Sequence, residues 1–172
     1  MKNSYFTLIT MFILCLMTSI AGAQTDKSAR PSPPAEVSST VHGANLKIAY
    51  SSPSVKGRVI WGDLVPYGKV WRTGANEATV FETDKDIKIN GEKLAAGKYA
   101  LFTIPGEKEW VFIFNAVWDQ WGAFKYDQAK DVLRVTAKPM TSTQFNEQMK
   151  FEIKDKMIAL SWEKLTVELE VK

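Results

Sequence analysis

The sequence predicts an all-β domain, an antiparallel β-sandwich or jelly-roll-like fold, on three observations. Apolar residues alternate with polar ones along several segments, turn dipeptides separate such segments, and two aromatic-rich apolar runs flank a four-residue turn. Leu46, Ile48 and Tyr50 alternate with polar or small neighbours, as do Ile87 with Ile89, Phe151 with Ile153, and Leu165 with Val167, Leu169 and Val171. A period of two places each set on one face of a strand. Residues 99–104 (YALFTI) and 110–114 (WVFIF) flank Pro105-Gly106-Glu107-Lys108 and read as a central hairpin buried on both faces. Asn90-Gly91 turns a second hairpin, Asp155-Lys156 a third and Glu163-Lys164 a fourth. Roughly eight to ten short strands result, at the spacing of a sandwich or barrel. Residues 118–129 and 143–148 lack the alternation and read as short helical segments of a turn or two.

The N-terminus reads as an export signal. Residues 8–20 (LITMFILCLMTSI) are almost wholly apolar, follow Lys2, and end in Ala21-Gly22-Ala23, the small-x-small form that signal peptidase cleaves. A run of 13 residues is short of the roughly 20 needed to cross a bilayer, so no membrane span is expected after cleavage. Cys15 has Leu14 before it, where a lipid-accepting cysteine needs a small residue. The expected organisation is a signal peptide over 1–23, a Pro-rich linker over 24–36 and a single β domain over 37–172, in a periplasmic or secreted product.

Removing 23 of the 172 residues leaves 149, enough for one domain and no second. Cys15 is the single cysteine, so a mature chain starting at Gln24 has no thiol for disulfides, thiolate catalysis or cysteine-based metal sites. The charge is then 21 basic against 19 acidic residues with no basic block, which argues against a nucleic-acid partner. His42 is the sole histidine, so a histidine-dependent triad or multi-histidine metal centre cannot form within one chain. Its plain reading is a surface turn residue beside Gly43. No cofactor is expected.

Residues 53–79 (PSVKGRVIWGDLVPYGKVWRTGANEAT) pack four of the ten glycines and two of the six tryptophans around Lys56, Arg58, Lys69 and Arg72. A backbone turning this often brings N–H groups, guanidinium forks and indole faces together, the chemistry of a site for an anion or a sugar. The alternative is a set of stacked, salt-bridged corners. Phosphate-loop signatures do not fit: residues 62–69 (GDLVPYGK) put five residues between the glycines, and Val70 stands where Ser or Thr should bind magnesium. A second stretch, 115–131 (NAVWDQWGAFKYDQAKD), sets Trp118, Trp121 and Tyr126 among Asp119, Gln120, Lys125 and Asp127. Aromatic faces beside planar polar groups suit a carbohydrate or peptide; an aromatic cap on one end of the sandwich is the competing reading. Asp63, Glu77, Asp119, Asp127 and Asp131 lie in these loops, and a hydrolytic pair would need two of them about 5 to 9 Å apart.

The segments SPSVKGRVIWGDLVPYGKVWRTGANEAT, LAAGKYALFTIPGEKEWVFIFN, WDQWGAFKYD and KDVLRV together resemble the exported bacterial proteins grouped as domain of unknown function 2911. The resemblance runs from Arg30-Pro31-Ser32-Pro33 to at least Val135. It implies a common fold and no particular activity. Lys56, Arg58, Trp71, Arg72 and Asn76 match the pattern, whereas Ser52 stands where arginine is frequent.

Three functional readings follow. The first is a non-catalytic binding module for an anionic or polyhydroxy ligand, with Lys56, Arg58, Tyr67, Trp71, Arg72, Asn76, Trp118, Trp121 and Tyr126 as its contact residues. The second is a cofactor-independent hydrolase using Asp63, Glu77 or Asp119 with Arg72 as electrostatic stabiliser. The third is a purely structural envelope protein. The first also expects Arg72 and the 118–126 segment to face one shared pocket.

Overall fold

A computed structural model describes residues 27–172, and the chain divides into two units, Met1–Arg30 and Pro31–Lys172. In the first unit the described residues form one 3₁₀ turn, Lys27–Ala29. The signal-peptide reading, Cys15 and the start of the linker lie outside the described residues.

In the second unit, six strands build one antiparallel sheet. They are β1 (Pro34–Val41), β2 (Ala44–Ser51), β3 (Thr79–Thr83), β6 (Gly97–Ile104), β7 (Trp110–Asn115) and β8 (Asp131–Ala137), in the spatial order β1-β2-β3-β6-β7-β8. The short β4 (Ile87–Ile89) and β5 (Glu92–Leu94) form a separate hairpin. Its turn residues Asn90 and Gly91 have φ of 48° and 91°, the two left-handed positions that such a turn requires. A long ribbon of β9 (Pro139–Lys154) and β10 (Met157–Glu170) completes the fold, turned at Asp155 with φ 54°. The expected β-sandwich is therefore observed. Its main core lies between sheet and ribbon: Leu46, Ile48, Phe81, Phe112 and Phe114 share one apolar cluster with Phe151, Leu160, Trp162 and Leu169.

The β6–β7 hairpin is buried on both faces, as its unbroken apolar runs predict. Tyr99, Leu101, Trp110, Phe112 and Phe114 belong to the main core. Their neighbours Ala100, Phe102 and Ile113 form a second cluster on the other face, beneath Val70, Ala78, Ala123 and Tyr126. The two stretches singled out in the sequence thus cover the outer face of this hairpin.

Three local expectations change, and a fourth, the short helical segment near 118–129, holds. β1 opens at Pro34, paired with Ser51, so residues 34–36 are strand rather than linker; a proline at the first position of an outer strand removes no ladder bond. Residues 143–148 are part of β9, not a helix. Thr143, Gln144, Phe145, Glu147 and Gln148 are all exposed there, so the segment has no buried face to impose a period. Glu163-Lys164 is a bulge inside β10 and not a hairpin turn: Glu163 has φ 55° and the register to β9 shifts on both sides of it. Residues 118–129 contain a turn and then one 3₁₀ turn, Gln128–Lys130, whose Ala129 N–H donates to Asp127 Oδ1 at 2.9 Å. His42 lies exposed in the β1–β2 turn with φ 49°, as expected.

Candidate functional site

Trp71 is held by β6. Its N–H donates to Thr103 O at 2.7 Å and its carbonyl accepts from Thr103 N–H at 2.9 Å, so it takes the place beside β6 that β3 leaves vacant below Thr79. The chain then turns sharply. Thr73 and Asn76 have φ of 55° and 56°, the Trp71 indole N–H donates to Gly74 O at 3.1 Å, and Thr79 Oγ1 donates to Thr73 O at 2.7 Å. A Cβ at Gly74 would stand 3.1 Å from both Ser51 O and Thr79 Oγ1, so the turn can seat this close to β2 and β3 because the residue has none. Asn76 Nδ2 donates to Ser32 O at 3.1 Å, which ties the turn to the start of the domain.

This turn is one wall of a cleft of about 370 Å³, within the range of small-molecule sites. Arg72, Asn76, Trp71, Arg58, Leu64 and Trp162 are among its lining residues, and no carboxylate is. Behind it Trp61, Trp71, Trp110 and Trp162 pack together: Trp71 stacks on Trp162 at 6.0 Å and 17°, and Trp61 meets Trp71, Trp110 and Trp162 edge-on at 6.0, 5.0 and 5.7 Å. The indole N–H groups of Trp61, Trp110 and Trp162 are buried without a hydrogen-bond partner among the described residues, a cost that the edge-to-face contacts offset in part. Through this cluster the two indoles that line the cleft pack against the main core.

Arg72 is the chemically unusual group. Its Nε is buried with no hydrogen-bond partner, no described carboxylate pairs with the guanidinium, and desolvation pulls its pKa below the ordinary arginine value. Arg58 lines the same cleft, but its guanidinium is already engaged: Nε donates to Val55 O at 3.1 Å and Nη2 to Ser54 O. It adds positive charge while holding its own turn closed. Two arginines with no acid between them make the cleft a positive, partly desolvated hollow.

Residues 32–171 match the family described as Protein of unknown function (DUF2911). The chain belongs to this family. No curated protein and no solved structure matches it.

Of the nine contact residues that the sequence proposes in this DUF2911 domain, the structure brings Arg58, Trp71, Arg72 and Asn76 to the cleft. Lys56 sits in the turn above it with φ 49°, its N–H bonded to Glu147 Oε1 at 2.9 Å. Tyr67 lies across Gly62, and burial pushes its phenol pKa up. Trp118 carries Lys98 Nζ over its ring at 3.8 Å. Tyr126 packs on Phe102, donates to Asp131 Oδ2 at 2.6 Å and accepts from Arg134, a structural corner rather than a cleft wall. Trp121 bridges Glu77 through the backbone and is 56% exposed.

No residue of 118–126 is among those lining the cleft, so the expected shared pocket is not formed by that lining, although the segment meets Arg72 at its edge. Ala78 N–H donates to Gln120 O at 3.0 Å and Gly122 N–H to Asn76 O at 3.1 Å, which lays residues 120–122 along the turn. A Cβ at Gly122 would stand 3.4 Å from Arg72 Nη1 and 3.0 Å from the Phe124 ring. Sequence reasoning missed Leu64 and Trp162, which line the cleft, and Phe124, whose ring lies beside Gly122. Trp162 is a core-facing strand residue with no local mark of a site, while Phe124 lay in a flagged stretch and was passed over for its more polar neighbours. Ser52 is buried, and its hydroxyl donates to Met149 O at 2.6 Å.

Proposed function

We propose that this protein is an exported binding module that takes a small anion in the Arg72 cleft. The observation that carries the reading is the guanidinium itself, half-buried beside a second arginine, with an unsatisfied Nε and no acidic partner. A buried charge without a counter-ion is costly, and an anionic ligand supplies the missing charge and the missing acceptor together. Between an anion and a neutral sugar, the lining favours the anion. Sugar hydroxyls both donate and accept, and the side-chain acceptors on this cleft are limited to those of Ser32 and Asn76. The hydrolase reading has less support, since none of Asp63, Glu77 and Asp119 is among the residues lining the cleft with Arg72.

The test is calorimetric titration of wild type and Arg72→Gln with a panel of small anions at constant ionic strength. At least one anion should bind wild type, and Arg72→Gln should weaken that binding by about 10- to 100-fold. Equal affinities in the two proteins would refute the reading.

A further inference from the structure

Large apolar side chains left exposed by the described residues are concentrated in the two loops that meet at Arg72. Seven of the ten lie in the two loops 56–70 and 116–127, so the exposure is local rather than scattered. Leu64, 44% exposed, lines the cleft. Phe124, 84% exposed, presents its ring to the same Gly122 that abuts Arg72 Nη1. A cation that lacks a partner and bare apolar surface beside it describe the two ends of one ligand.

We infer that the ligand is a monocarboxylate with an apolar body: the carboxylate on Arg72, the hydrocarbon or aryl part between Leu64 and the Phe124 ring. This rests on the anion reading above and narrows it. The guanidinium fork matches the planar carboxylate, whose second oxygen reaches the neighbouring N–H of the fork. Arg72 Nη1 and the Phe124 ring both lie within 3.4 Å of the position a Gly122 Cβ would take, so a body as short as one ring spans charge and aromatic face together. Trp71 and Trp162 close the inner end with indole surface rather than with acceptors, which excludes a polar tail on that side. Inorganic phosphate or sulfate would use the charge and leave Leu64 and Phe124 wet.

The experiment compares acetate, phenylacetate, phenylacetamide and inorganic phosphate by calorimetry on wild type, Phe124→Ala and Arg72→Gln. Phenylacetate should bind wild type at least about tenfold more tightly than acetate or phosphate, from burial of the ring. Phenylacetamide, which keeps the body and loses the charge, should bind at least about tenfold more weakly than phenylacetate. Phe124→Ala should cut phenylacetate affinity several-fold and leave acetate unchanged; the residue is exposed, so the melting temperature should hold. Equal binding of acetate, phosphate and phenylacetate, or an unchanged phenylacetate affinity in Phe124→Ala, overturns the inference while leaving the anion site standing. Binding of every probe to Arg72→Gln as to wild type overturns the anion site as well.

Discussion

The hydroxyl of Thr73 lies 3.1 Å from that of Thr103, and both residues are fully buried. One belongs to the turn that carries Arg72 and the other to the central strand β6. Thr73 Oγ1 also lies 3.3 Å from Trp71 O, two residues back, so these contacts secure a residue held at positive φ. Thr103→Val keeps the shape and removes the partner. It should lower stability by about 1 kcal/mol, seen as a melting temperature reduced by about 3 °C, and weaken anion binding through a less firmly placed Arg72. Unchanged stability would show that the hydroxyl pair is incidental.

If Arg72 serves an anion, its unpaired, desolvated guanidinium costs the free fold stability. Arg72→Met retains the aliphatic stem and removes the charge, so the melting temperature should hold or rise while anion binding disappears. A fall of several degrees would instead make the guanidinium a structural support. Thermal denaturation with and without anion separates the outcomes.

Acid stability should depend on Glu170. Lys156 at 2.8 Å, then Lys172 at 2.8 Å, lower its pKa from 4.5 to about 2. A carboxylate depressed on folding contributes stability that is complete above about 4.5 and is lost as pH falls toward about 2. Asp84, which accepts from the Asn45 backbone N–H and side-chain amide at 2.7 Å each, shifts in the same direction. Melting temperature followed from pH 6 down to pH 2, about the interval these shifts span, should therefore decline less in Glu170→Gln than in wild type. Parallel curves would remove the ion pair from the account.

The bulge in β10 gives a backbone test. Glu163 holds φ 55°, a conformation that costs a non-glycine residue and penalises a β-branched one most. Glu163→Gly should be tolerated. Glu163→Val should lose about 1 to 2 kcal/mol, measured by denaturant melts; equal stability of the two variants would show that the bulge relaxes.

What the sequence made legible was whatever local chemistry determines. Asn90-Gly91 and Asp155-Lys156 turn hairpins because left-handed backbone needs those residue types, and the runs 99–104 and 110–114 are unbroken because two faces are covered. Glu163-Lys164 resembles a turn in composition, yet tertiary pairing on either side converts it into a bulge. Residues 143–148 resemble helix for want of a period, although a strand with no buried face has no reason to show one. At the cleft, Arg58, Trp71, Arg72 and Asn76 were readable because one glycine-rich stretch supplies them. Trp162 comes from a strand 90 residues beyond Arg72, and only the sandwich brings it there. Tyr126 lies off the cleft lining, and sequence does not foresee this because a tyrosine that serves an Asp131–Arg134 corner has the same local sequence as one that faces a ligand.

The near-parallel packing of Trp71 on Trp162, 6.0 Å apart with Trp61 across both, has an optical consequence. Transition dipoles this close couple as excitons, so the far-ultraviolet circular dichroism should carry an indole couplet on top of the weak β signal, and secondary-structure fractions fitted to it will be distorted. Because both rings wall the cleft, the couplet is also a label-free reporter of occupancy. A bound molecule that rotates either indole changes its amplitude, whereas one that docks elsewhere on the domain leaves it alone.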